Sequence, residues 1–118
     1  GELSDGTLRF LFLLTVLASP SPAPIIAIDE PETGLHPSML PLVAEYAADA
    51  ATRSQVILTT HSPQLLDAFR ETEPTATVVK WENGETILQT LHGEELGYWL
   101  KKFSLGALFR SGELEHMG

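Results

Sequence analysis

Polar and apolar positions divide the chain into short segments, each with its own period. Residues 7–19 ("TLRFLFLLTVLAS") are apolar almost all round, which predicts a buried core helix. The prolines of "SPSPAP", residues 19–24, forbid its continuation. Residues 25–28 ("IIAI") form a continuous run rich in β-branched side chains and predict a strand covered on both faces, as in a parallel sheet. After "PETGLHP", residues 38–52 predict a second helix. Ser38 caps it in this reading, Pro41 is tolerated in its first turn, and Leu42, Val43, Tyr46, Ala47 and Ala50 line one face. Residues 55–60 ("QVILTT") predict another buried strand, and Ser62 followed by Pro63 opens a short helix, "PQLLDAF". Strand, helix and strand at this spacing make a βαβ unit, expected to have a right-handed crossover.

The pattern changes at residue 75. "TATVVKW" and "ETILQTL" flank Asn83-Gly84, a pair suited to the tight turn of a hairpin. Residues 93–115 read as helical again, in two pieces that break near residues 104–106. The whole predicts one α/β domain over residues 1–118.

Composition supports a real but modest core, with 118 residues of which 43% are hydrophobic. Cysteine is absent, which excludes disulfides, thiolate metal sites and cysteine nucleophiles and fits a reducing, cytoplasmic setting. Sixteen acidic against seven basic residues give a net charge of −9, a poor surface for neutralising nucleic-acid phosphates or meeting an anionic membrane. The most membrane-like stretch, residues 8–18, falls short of the ~20 apolar residues of a spanning helix and is interrupted by Arg9. No cationic region precedes it, so it is also a weak signal peptide. The abrupt start at Gly1 suggests a fragment or a processed piece.

Three stretches carry candidate chemistry. Ser4, Asp5, Gly6 and Thr7 precede the first helix, where a hydroxyl and free backbone N–H groups suit an anion such as phosphate. Taken alone, they read more simply as an ordinary N-cap. Asp29 and Glu30 end the first strand at the carboxyl edge, where open α/β sheets bind ligands. One carboxylate can hold Mg²⁺ while its neighbour accepts a proton from water; a solvated strand end is the plainer alternative. His61 ends the second strand of the same βαβ unit. Neighbouring strands lie ~4.8 Å apart, so the imidazole emerges on the same sheet edge as the two acids. That topology weakens the reading of His61 as a lone loop residue.

In this order, "LSDGT", "IIAIDEP", "ETGLHP" and "TTHSP" resemble the signature motif, Walker B strand, D-loop region and switch-histidine loop of an ABC-type ATPase head. The flavour is that of the RecF, SMC and OLD-like AAA family ATPases. The likeness covers roughly residues 2–67, with a less specific match in the tail "LGYWLKKFSLGALFRSGELE". It implies a P-loop NTPase-like fold whose substrate is ATP with Mg²⁺. By the same resemblance, Asp29 holds Mg²⁺ through its water shell, and Glu30 is the base that polarises the attacking water. His61 contacts the γ-phosphate side. Ser4 and the backbone at Gly6 reach ATP bound to the opposite subunit of a homodimer, and residues 32–35 help to form that interface.

Two departures stand out. Asp5 occupies the position of the signature's second Gly, placing a negative charge near the phosphate, and Thr7 replaces the usual Gln or Glu-like residue. No G-x-x-x-x-G-K-[ST] loop occurs in the chain, so the cradle for the β- and γ-phosphates is missing. In this architecture that Walker A half lies N-terminal to the signature. The chain is then expected to be the C-terminal half of a head, inactive in isolation, with any DNA contact made by parts outside it. Two alternatives compete with it. One is the ATPase segment of an OLD-like nuclease, against which stands the lack of an Asp-x-Asp cluster after His61. The other is a non-catalytic head-like or toxin–antitoxin-like module, against which stands the intact Asp29, Glu30 and His61 set.

Overall fold

The computed structural model describes residues 4–72, 74–91, 94–99 and 101–102. Contacts divide the chain into two units, Gly1–Phe69 and Arg70–Gly118, where the sequence suggests one continuous domain. The division falls just ahead of the change in pattern at residue 75.

In the first unit, α1 (Asp5–Leu17) leads through the proline turn into β1 (Ile25–Asp29). A 3₁₀ turn (Pro37–Met39) then runs into α2 (Leu40–Ala50), followed by β2 (Gln55–Thr59) and α3 (Pro63–Ala68). β1 and β2 pair in parallel, from Ile25 opposite Gln55 to Asp29 opposite Thr59. This is the expected βαβ unit, with α2 as the crossover. Because the register is even, both strands end at the same edge.

Core residues come from the inner faces of these elements. Leu17, Ile26, Ala47 and Ala50 form one buried cluster, against which Val16, Ile28, Tyr46, Val56, Leu58 and Phe69 pack. Leu40, Val43 and Leu65 form a second, bordered by Phe10, Leu35 and Phe69. Burying a Leu or Val completely contributes about 1.5–3 kcal/mol, so these few side chains dominate what holds the unit together.

Several expectations change here. The first helix is not buried all round: Leu13 and Leu17 are buried, whereas Phe12 is 68% exposed and Leu8 and Leu11 are also exposed. The strands are covered on one face only; residues alternate in burial, and Ile25 and Ile57 stand exposed. A continuous apolar run carries no period from which to tell one covered face from two. Ser38 does not cap α2. It lies within the 3₁₀ turn, whose cap is His36, with Nδ1 accepting from the Ser38 N–H at 3.1 Å. Leu42 is exposed, while Leu40 and Ala44 join Val43, Ala47 and Ala50 inside. Counted from Leu40, the buried positions follow helical spacing, which leaves Leu42 off that face.

Ser62 and Pro63 behave as expected: the Ser62 Oγ accepts from the Leu65 N–H at 3.1 Å, and Pro63 begins α3. In the second unit, β3 (Ala76–Glu82) pairs antiparallel with β4 (Glu85–Leu91). The turn between them needs positive φ at both central residues, and Asn83 (51°) and Gly84 (77°) supply it. Residues 94–99 and 101–102 are helical. The expected second helical piece and its break near residues 104–106 lie outside the described residues.

Candidate functional site

β1 and β2 are registered so that Asp29 and Thr59 are the last paired residues, and the chemistry collects just beyond them. The Thr59 hydroxyl donates to Asp29 Oδ1 across the strand pair. Asp29 itself stays exposed. One hydroxyl therefore fixes the direction of the carboxylate without burying it, and a carboxylate has capacity for further donors.

Glu30 follows in a left-handed conformation, with φ of 47°. Such backbone costs a non-glycine residue about 1–2 kcal/mol and persists only where neighbours over-determine it. The neighbours are on hand. Its N–H donates to the Thr59 carbonyl at 2.9 Å and also lies 3.1 Å from Thr59 Oγ1. Its carbonyl accepts from the Thr33 N–H at 3.1 Å and from Arg9 Nη2 of α1 at 3.3 Å. The backbone of Glu30 is thus held from both its N–H and its C=O, by the partner strand, the following turn and α1. Its side chain is half-exposed, and Oε1 lies 3.8 Å from His61 Nε2.

The turn after Glu30 is compact. Pro31 is buried, and Gly34 takes a φ of 79°. A Cβ on Gly6 would come within 2.5 Å of the Gly34 carbonyl oxygen. Glycine at position 6 therefore lets the start of α1 lie against this turn. Ser4 caps α1: its Oγ accepts from the Thr7 N–H at 3.1 Å and pairs with the Thr7 hydroxyl at 2.8 Å. The hydroxyl is thus engaged as the plain N-cap reading requires.

The sequence-derived site residues fall into two groups. Asp29, Glu30 and His61 come together at one end of the strand pair, with the imidazole beside the Glu30 carboxylate. Ser4 caps and Gly6 lies in the first turn of α1, which comes close to the same turn at Gly34. Sequence reasoning missed Arg9, Thr59 and Thr60, and gave Glu32 only a place in the interface turn. The Thr60 hydroxyl donates to Glu32 Oε1, and the other Glu32 oxygen is buried with no hydrogen-bond partner. The signal available was the "TT" that ends the second strand opposite "DEPE".

Among the described residues no group of three or more His, Asp or Glu side chains could hold a metal ion by itself. Mg²⁺ at a nucleotide site needs less: one or two carboxylates, waters and phosphate oxygens. An exposed carboxylate oriented by a neighbouring hydroxyl, as Asp29 is, fits that requirement. Chemically, the edge offers one acid that could help to hold an ion, a second acid in a rigid backbone, and an imidazole that can donate or accept.

Residues 1–67 match the family described as "AAA domain, putative AbiEii toxin, Type IV TA system". Over 95 residues, 80% of the chain, it is 30% identical to the glutathione/L-cysteine transport system ATP-binding/permease protein CydC of Escherichia coli (strain K12). It spans 15% of that relative. A solved structure of an SMC ATPase, from work on ATP-driven dimerization and DNA stimulated activation, matches with a TM-score of 0.66 at 20% identity. The match covers 86% of this chain and 62% of that one. The chain therefore spans less than two thirds of either relative. The structural likeness is one of fold, and the fold is α/β and P-loop NTPase-like. No helix among the described residues is long and apolar enough to cross a membrane.

Proposed function

The chain belongs to this AAA-domain family, and on that premise we propose that it supplies the water-activating half of an ATPase head that hydrolyses ATP to ADP and phosphate. One observation carries the reading: Asp29, Glu30 and His61 share one edge of the parallel pair, with Glu30 held in a strained backbone beside the imidazole. Strained backbone at a cluster of ionisable groups is a mark of a functional site.

Asp29 is the residue that would hold Mg²⁺, through its water shell. When bound with the nucleotide, the ion would supply positive charge that offsets the charge of the phosphates. Glu30 accepts the proton of the attacking water, a role served by its half-exposed carboxylate and fixed backbone. His61 contacts the γ-phosphate, the group transferred to water as ADP leaves, and its exposed ring can reach a ligand beyond the strand ends. Ser4 and the backbone at Gly6 present the N-terminus of α1 to ATP on a second subunit. The turn at residues 32–35 forms part of that homodimer contact. Two heads closing around two nucleotides would make ATP the glue and its hydrolysis the release.

The phosphate cradle is absent from these 118 residues, so the segment alone binds nucleotide weakly. Titration of Mg-ATP into the isolated chain should show no saturation in the micromolar range; a micromolar Kd would contradict this division of labour. A second reading, the toxin of a type IV toxin–antitoxin pair, draws on the family's description. It predicts growth arrest on expression that persists in Glu30→Gln, whereas an effect driven by ATP turnover disappears with that substitution.

A further inference from the structure

We propose that Glu32 and Thr60 form a positioning unit that sets His61 against Glu30, so that neither residue touches substrate yet both govern turnover. The proposal rests on the ATPase reading above and adds two residues to it.

The imidazole needs such a device. His61 is 93% exposed, so no packing holds its ring, and its contact with Glu30 is a 3.8 Å approach. A side chain without packing is placed by its backbone. That backbone is shaped by Thr60, whose hydroxyl accepts from the Ser62 N–H at 2.9 Å, directly across His61. The same hydroxyl donates to Glu32 Oε1. Ser62 in turn caps α3 through the Leu65 N–H, which ties the histidine turn to a helix anchored in the core by Leu65.

On the acid side, Glu32 belongs to the turn that begins at Glu30, and its carbonyl accepts from the Leu35 N–H at 3.0 Å. One carboxylate–hydroxyl link thus joins the turn bearing Glu30 to the turn bearing His61. The link lies in a part-buried setting, whereas the His61–Glu30 pair it serves is open to solvent.

Glu32 Oε2 strengthens the case. It is buried without a hydrogen-bond partner, a costly state for a carboxylate oxygen. The carboxylate therefore joins the two turns through Oε1 at a cost in desolvation of Oε2.

The test uses the full-length protein as wild type, Thr60→Val, Thr60→Ser and Glu32→Ala. It reads steady-state ATP turnover and the ring NMR signal of His61. Misplacing a reacting group by about 1 Å can cost 10²-fold in rate, so Thr60→Val and Glu32→Ala should lower kcat by about 10- to 100-fold with KM nearly unchanged. Both should also shift the His61 signal. Thr60→Ser keeps the hydroxyl and should restore both readouts. The double variant should be no worse than the poorer single, because the pair acts as one unit. Wild-type kcat in either single variant, or a Thr60→Ser loss equal to that of Thr60→Val, overturns the proposal. If Thr60→Val fails to fold, Glu32→Ala decides alone. A wild type with no ATP turnover overturns the ATPase reading instead. The His61 signal then still tests the unit: it must move in Thr60→Val and stay in Thr60→Ser.

Discussion

The Thr59 hydroxyl donates to Asp29 Oδ1 between the last paired residues of two parallel strands. Thr59 Oγ1 also accepts from the Glu30 N–H at 3.1 Å, so one side chain orients the candidate ion-holding acid and helps to pin the candidate base. Thr59→Val keeps the β-branched shape and removes both interactions. It should destabilise the chain by about 1 kcal/mol, the net worth of an ordinary hydrogen bond, read from the midpoint of urea unfolding. In the full-length protein it should also weaken Mg-ATP turnover, while Thr59→Ser should not.

Gly6 and Gly34 meet where α1 approaches the turn after Glu30. Gly6→Ala places a methyl 2.5 Å from a backbone carbonyl oxygen, which cannot move as a side chain could. Overpacking of this kind costs about 1–3 kcal/mol. Gly34→Ala meets little steric obstruction but must hold a φ of 79°, at about 1–2 kcal/mol. Both should lower the melting temperature. Gly6→Ala should in addition shift the amide signals of Thr33 and Gly34 in NMR spectra.

The two faces of α1 should respond very differently to truncation. Leu17 is buried at 1% exposure in the main cluster, so Leu17→Ala should cost about 2–5 kcal/mol. Phe12 is 68% exposed, and Phe12→Ala should change stability by no more than about 0.5 kcal/mol. Chemical denaturation of both variants checks the contrast. Equal, large losses would mean that the helix is covered on both sides.

What the sequence made legible was local. Asn83-Gly84 announced its turn because few residue pairs accept two positive φ values, and Ser62-Pro63 announced a helix start through cap chemistry. The edge holding Asp29, Glu30 and His61 was legible too, since parallel pairing of adjacent strands brings their ends together. Burial was less so. "LRFLFLLTVL" and "IIAI" are apolar without a break, so the covered face is chosen by packing and not by pattern. Ser38 does not cap α2 because a 3₁₀ turn capped by His36 precedes the helix and takes Ser38 into itself, its N–H donating to His36 Nδ1. Links such as Arg9 to the Glu30 carbonyl and Thr60 to Glu32 span 21 and 28 positions. They depend on register and turn geometry, which no local motif encodes.

The central claim, that Glu30 takes the proton from water in ATP hydrolysis, meets its most direct test in Glu30→Gln in the full-length protein. Glutamine keeps the size and the backbone contacts but cannot act as the base. Phosphate release should fall by about 10²- to 10⁴-fold, the usual contribution of a general base, while Mg-ATP still binds and holds the dimer together. Unchanged phosphate release in Glu30→Gln would contradict the account.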